Sequence, residues 1–575
     1  MSIILTLLKV NHPLLCPVNV RAACVSVGYG LVTMLDPRAA VGVGRSLLTR
    51  RKVRSVTESM RVQRLPAALS ILVLTTIVAC SSGSDSGDSS SSKEVDPNGE
   101  LIFFDNASIE SFDPTKNTTG RAVRWLYPVF DRLLHLNVDG EIEPGLAESW
   151  DYPEDNVLEL RLREGVEFHD GSALDAQAVK ANLERTKSLV GVEAQADPVA
   201  SVIESVEPVE PTLVRINLTE PNRRIIFSLA STLGMMMSPA SLKSPDLETK
   251  PVGAGMFTLA EFQPGERAVY ERFDGYWDQD AVKLATLVLQ NVPDSSTRLN
   301  ALRSGQVDLT FLDVGQVKDA EAAGLTVEPF DTIQVYTMFT RVKPGTALEN
   351  KQVRQAINYA IDRKAIVDSV LFGIGKPTVQ IYPEGYFPYN PKYGPEFYEY
   401  DPEKARSLLA SAGVTVPPLT FLVFNRPEEI QVMEIVQSQL KDVGIEVKLE
   451  PIEPTRFDRF TVEDCCDVMA GNRSGGPDPL ESLAFVFGPD GVFHPGGVES
   501  EGLQPVLDKI AALEPGEERT KLLQEASGLT VEDPVAFPLF ARTIPYASQE
   551  DCVVGFRAYR NGIDEYRNVG VRVGC

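Results

Sequence analysis

The stretch LRLREGVEFHDGSALDAQAVKANLER, residues 160–185, decides how this chain folds. Val157 to Leu162, which leads into it, alternates apolar and polar side chains as a half-buried strand does. Phe168-His169-Asp170-Gly171 follows. His169 and Asp170 set the turn after the strand, and Gly171 supplies a backbone conformation that other residues resist. Asp175 then stands where a helix N-cap belongs, ahead of helical periodicity through Lys187. A strand, a turn and a helix in direct succession are the building unit of an α/β protein.

The same alternation continues on both sides. Leu101 to Phe104 reads as a strand, and so does Leu284 to Val292, which is followed by Asp294-Ser295-Ser296 and a helix through Leu302. Val353 to Val370 has the pattern of one amphipathic helix. Asp401 caps a further helix with Pro402 at its first position and Gly413 at its end. Ile430 to Val443 is a helix closed by Gly444, and Ile445 to Leu449 is the strand after it. Asp467 to Ala470 is strand-like, and an apolar helix-like run begins at Leu480. Between them, residues 471–479 hold three glycines, two prolines and one arginine. Such a segment is expected to be a loop whose backbone groups are free to meet a ligand. No repeat of fixed period is seen, and no second membrane span.

The 575 residues allow two to four domains, and 43% apolar with 8% aromatic residues suits a soluble protein with a large core. The formal charge of -25 is unevenly spread. Residues 1–79 carry ten Lys/Arg and two Asp/Glu, which leaves 45 basic and 78 acidic residues beyond them. A surface that acidic repels phosphate backbones, so nucleic acid is not an expected partner.

Met60 to Cys80 reads MRVQRLPAALSILVLTTIVAC. Arg61 and Arg64 precede an apolar run, Ala67 to Ala79, too short to cross a hydrocarbon core of ~30 Å. The ending Ile77-Val78-Ala79-Cys80 resembles the bacterial lipobox, in which the cysteine becomes the lipidated first residue. Ser81 to Ser92 contains only Ser, Gly and Asp, which behave as a flexible tether. Residues 60–79 are thus expected to be a lipoprotein signal peptide, Cys80 the lipid attachment site and 80–97 a tether. Residues 1–59 precede a complete signal, and translation is expected to start at Met60. Beyond Cys80 lie Cys465, Cys466, Cys552 and Cys575. In an exported chain they suggest disulfides. Cys552 and Cys575 are the expected pair; Cys465 and Cys466 either form a vicinal bridge or stay free.

Catalytic signatures are missing. His135, His169 and His494 are far apart, no G-x-S-x-G elbow occurs, and no cysteine spacing fits zinc. Gly373-Ile374-Gly375-Lys376-Pro377 lacks the rest of a phosphate loop and reads as a turn. No catalytic residue, metal ligand or cofactor is assigned.

Several segments, taken in order, resemble the extracytoplasmic solute-binding protein family 5, the oligopeptide-, dipeptide- and nickel-binding lipoproteins of ABC importers. They are Ser111-Phe112-Asp113-Pro114; Val129-Phe130-Asp131-Arg132-Leu133-Leu134; Pro144 to Trp150; residues 160–185; residues 251–277; Arg298 to Leu302 with Gly305-Gln306-Val307-Asp308; residues 353–367; and residues 400–413. The resemblance implies an α/β, two-lobed periplasmic-binding-protein-like fold (type II, cluster C) with mixed sheets and a hinge. Lobe I would be 98–288 plus a returning segment 532–575, and lobe II 289–531. It implies capture of a peptide or other small solute between the lobes, and delivery to the permease and ATPase subunits of an importer, with the membrane reached through the N-terminal lipid. A surface hydrolase, or a sensory or adhesion lipoprotein on the same fold, is the alternative. Peptide binders of the family hold the ligand's amino group with an aspartate that corresponds here to Gly475, while Asn472 stands where Trp is usual. Arg473, Asn472 and Ser474 are therefore the expected ligand contacts, with Arg121, Trp125 and Tyr127 on the facing wall. Arg473 either meets an anionic group of the ligand or pairs with an acid of the protein.

Overall fold

The computed structural model describes residues 94–575 apart from 118–119, 192–196, 464, 474–475, 477, 490, 499 and 562–564. Cys80, the signal peptide and Ser474 lie outside the described residues, as do the side chains of Arg121 and Arg473. Among the described residues no helix is long and apolar enough to cross a membrane.

The unit quoted at the outset folds as read. Val157–Leu162 is a strand, Gly171 has φ +77°, and Asp175 accepts the Ala178 N–H at 2.9 Å to start helix Ala176–Leu189. His169 spends both ring nitrogens on the segment opposite, Nε2 on the Gly255 carbonyl at 3.1 Å and Nδ1 accepting the Gly253 N–H at 3.4 Å. The motif therefore fastens a turn. The strand belongs to a four-stranded antiparallel sheet with Ala147–Glu154, Leu213–Leu218 and Ile203–Glu210. The helix packs on that sheet over a core of Leu158, Leu160, Val179, Leu183, Val206 and Ile216.

An eleven-stranded mixed sheet forms the rest of the frame. At one end Glu100–Asp105 pairs in parallel with Thr286–Asn291 and Leu309–Phe311, and Arg267–Arg272 and Phe257–Gln263 continue outward. At the other end Leu419–Phe424 pairs in parallel with Val447–Ile452 and Val468–Arg473. Two long antiparallel strands, Thr326–Thr340 and Ala536–Ser548, join the ends. Their pairing shifts register between Asp331 and Val335. On one side of the shift Tyr546 packs in the core around Phe103, Trp125 and Tyr270; on the other, Ile333, Tyr336 and Phe540 pack in the core around Phe421, Val436 and Leu483. Leu299, Leu302 and Leu325 pack with Ile102, Phe104 and Ala547.

Two expectations change. Val353 to Val370 is not one helix but two, Lys351–Tyr359 and Arg363–Val370. Asp362 caps the second by accepting the Ala365 N–H, and buried Arg363 turns back onto the Asn358 and Pro538 carbonyls, which an unbroken helix would not permit. The strand expected to end at Ala470 runs on through Arg473, because Val335, Tyr336 and Thr337 pair with Arg473, Asn472 and Gly471. Asn472 and the Arg473 backbone are thus strand residues rather than loop.

Tyr276 is buried and, with Trp277, donates to Asp131 (2.8 and 2.7 Å), which also meets His135 Nε2 at 2.5 Å. Arg132 pairs with Glu565 at 2.7 Å, tying the C-terminal segment to the first core. Cys552 and Cys575 are disulfide-bonded with Cα atoms 5.6 Å apart. Cys465 and Cys466 are not bonded; their Sγ atoms are 3.1 Å apart.

Candidate ligand-binding cleft

Leu419–Phe424 and Val468–Arg473 are adjacent and parallel, so both carboxyl ends open on the same side of the sheet. Each is followed by a helix that starts with proline at its first position, Pro427–Asp442 and Pro479–Phe487. Crevices outside the carboxyl ends of parallel strands are where open α/β sheets bind ligands, since helix N-termini and loop backbone groups converge there.

Buried polar atoms gather at this edge: Tyr336 Oη beside the Glu429 carboxyl, and Asn472 Oδ1, which has no hydrogen-bond partner among the described residues. Asn472 is opposite Tyr336 in the strand register, and the Tyr336 ring stacks on Phe540 with centroids 5.2 Å apart. Glu429, 3% exposed in the first turn of its helix, accepts Arg426 Nη1 at 2.9 Å on Oε1. Burial pushes the Glu429 carboxyl above its usual range, opposed by Arg426 and Arg542. Beside it Arg542 pairs with Glu428 at 2.8 Å. Leaving a buried polar group unpaired costs about 1–3 kcal/mol, so this grouping suits a partner that arrives from outside.

The other flank of the loop is organised by Asp478. Its Oδ1 accepts the Leu480 N–H at 3.0 Å, capping helix Pro479–Phe487, and Arg519 Nη2 at 2.8 Å. Its Oδ2 has no hydrogen bond among the described residues, and Arg224 Nε stands 3.6 Å away. Arg224 comes from the segment before helix Ile225–Leu229, on the far side of the cleft. A narrow cavity lined by Ile333, Tyr382, Tyr386, Gly476, Pro479 and Ser482 adjoins this group.

Of the expected contacts, Asn472 is brought to the cleft, half-buried at the strand end. Arg473 follows it on the backbone. Trp125 and Tyr127 do not form an open wall. Trp125 is fully buried and donates its indole N–H to Asp105 Oδ2 at 3.1 Å, while Tyr127 is buried with the Arg132 guanidinium 3.9 Å from its ring centre. Their rings belong to the first core, where aromatic area counts most. Tyr336, Glu429, Arg519 and Arg224, which the structure gathers around this loop, were not among the expected contacts, and Asp478 lay in the expected segment without an assigned role. Asp478-Pro479 carried a legible signal, a helix N-cap, but nothing local marks Glu429 as buried. Among the described residues no group of three or more His, Cys, Asp or Glu side chains is gathered as for a metal ion.

A mixed α/β fold in which two cores are joined through one large mixed sheet is that of a type II periplasmic binding protein. The chain belongs to the bacterial extracellular solute-binding proteins of family 5, whose model, "Bacterial extracellular solute-binding proteins, family 5 Middle", matches residues 141–493. Among its relatives is the glutathione-binding protein GsiB of Salmonella paratyphi A, 29% identical over 365 residues, which are 62% of this chain and 70% of that protein. The crystal structure of a nickel ABC transporter from Bacillus halodurans superposes with TM-score 0.71 at 26% identity, covering 82% of this chain and 100% of that one. HbpA2 from Haemophilus parasuis has the same fold, with TM-score 0.73 at 24% identity over 83% of this chain and 100% of its own. The protein is a solute-binding component of an ABC-type importer.

Proposed function

We propose that the protein is a lipid-anchored receptor that captures a peptide-sized solute between its lobes and presents it, without chemical change, to the permease and ATPase of its importer. The observation that carries this reading is the cluster of buried polar groups of Tyr336, Glu429, Asn472 and Asp478 at the strand ends, in which Asn472 Oδ1 has no hydrogen-bond partner among the described residues. A solute with matching donors relieves them, and the relief favours the closed state. Asn472, Arg473, Ser474 and Arg121 are the proposed solute contacts. The glutathione-binding relative supports a short peptide as the solute class.

Closure uses a hinge at the register shift of the two long strands, where the chain passes from one core to the other. Residues 289–325 then move with the first lobe, because they pack on Glu100–Asp105. This shifts the second lobe's start from the expected 289 to the long strand at 326. Cys80 carries the lipid, and the Ser/Gly/Asp-rich run after it gives the reach to the permease; the expected tether ends before residue 94 and not at 97, because Val95 pairs with Arg572 and the Asp96 N–H bonds the Val571 carbonyl at 2.8 Å.

Thermal-shift screening against glutathione, dipeptide, tripeptide, sugar and metal pools tests the reading. Stabilisation by glutathione or a peptide pool, with the solute recovered intact, is expected. Stabilisation by sugars or metals alone, or cleavage of a bound peptide, contradicts it.

A further inference from the structure

A second cavity, about 490 Å³, opens beside Arg519, which lines it. One wall is Ile142, Trp150 and Phe227; the other is Phe387 and Leu523, with the first turn of helix Glu517–Glu532 at the edge. The walls come from opposite sides of the cleft, so the cavity exists in this form only when the two sides are together. Cross-cleft contacts hold it: Arg224 lies 3.6 Å from Asp478 and 3.8 Å from Glu481, and Arg223 lies 3.7 Å from Glu514.

The charged side chains that border this cavity already have partners. Arg519 is committed to Asp478 and to the Ile510 carbonyl, Glu517 to Lys521 at 2.8 Å, and Glu141 to the Asn137 amide at 3.0 Å. What faces the space is mainly aromatic and aliphatic surface, which gains from an apolar occupant. The contrast with the strand ends is sharp, because there buried polar groups of Tyr336, Glu429, Asn472 and Asp478 gather. The two places are neighbours. Tyr386 lines the narrow cavity beside Gly476, and the next residue, Phe387, lines this one.

We infer that this cavity is an apolar subsite of the solute cleft, holding an aromatic or branched aliphatic group. The captured solute is then amphipathic, with hydrogen-bond donors at residues 472–478 and an apolar group against Trp150, Phe227, Phe387 and Leu523. The inference rests on the proposed capture of a solute in this cleft, and it adds the class of group the solute carries. Its volume lies within the range of small-molecule pockets, roughly 300–1,000 Å³.

The test has two arms. In the first, the intact protein is titrated with 4-fluorobenzyl alcohol and the probe is followed by ¹⁹F NMR. Wild-type protein is expected to broaden the probe signal, and Thr520→Trp, which fills the cavity from the half-buried face of its helix, to abolish the effect. An unbroadened signal with wild type, or equal broadening by Thr520→Trp, overturns the subsite. In the second arm Gly-Phe-Gly and Gly-Gly-Gly are compared by calorimetry. Gly-Phe-Gly is expected to bind at least tenfold more tightly, with the ratio falling below threefold in Trp150→Ala and Thr520→Trp. Equal affinities in wild type overturn it. If neither peptide binds while the fluorinated probe does, the subsite stands and the peptide reading fails.

Discussion

Arg519 and Asp478 face each other across 2.8 Å with side chains 2% and 3% exposed, joining helix Glu517–Glu532 to the cap of helix Pro479–Phe487. Breaking a buried pair strands the remaining charge, which costs about 3–5 kcal/mol. Asp478→Ala and Arg519→Ala are each expected to lower stability by about that much in urea unfolding. The double variant is expected to lose clearly less than the two together. Strict additivity would mean that the pair is not coupled.

Glu429 behaves in the opposite sense. Its folded carboxyl titrates above the unfolded value because burial outweighs Arg426 and Arg542. An acid with a raised folded pKa favours folding only at low pH, and that contribution is lost as pH rises through the folded value. Glu429→Gln is therefore expected to leave stability at pH 7 unchanged or slightly raised, while weakening solute binding at least tenfold, about 1.4 kcal/mol. Parallel urea melts and binding titrations read both quantities.

His169 gives an acid limb to the stability curve. Burial lowers its pKa from 6.5 to about 4, with the Gly255 carbonyl opposing. The unfolded chain then takes up the proton first, so stability is full above about pH 6.5 and falls as pH drops toward 4. At pH 5 the loss is about 2 kcal/mol relative to pH 7. A His169→Asn variant is expected to be less stable at pH 7 but to show a flatter pH dependence between 7 and 5; an unchanged slope would assign the limb to other groups.

Much of the fold was legible because its signals are local. The Asp175, Asp294 and Asp401 caps, the glycine at Gly413 and the alternation of Val157 to Leu162 each follow from neighbours in sequence. Less of the cleft was legible, because its parts meet only through topology. Tyr336 reaches Asn472 by strand pairing across more than a hundred residues, and Glu429 is buried by a sheet that no local pattern reveals. Trp125 and Tyr127 misled for the same reason. An aromatic next to an arginine suits a ligand wall, and only the three-dimensional core shows that Asp105 and Arg132 already use them.

The disulfide between Cys552 and Cys575 closes a loop with a sequence separation of 23. In the chain-entropy model such a loop contributes roughly 3 kcal/mol. Cys552→Ser is expected to lower the melting temperature, and reductant is expected to do the same to wild type but not to the variant.

The most direct measurement is a calorimetric titration of wild-type protein and Arg473→Ala with glutathione and with the peptides found in the thermal-shift screen. The account predicts saturable binding to wild type, at least tenfold weaker binding to Arg473→Ala, and apo melting temperatures that agree between the two. Equal affinity for both proteins would contradict a solute site at residues 471–478.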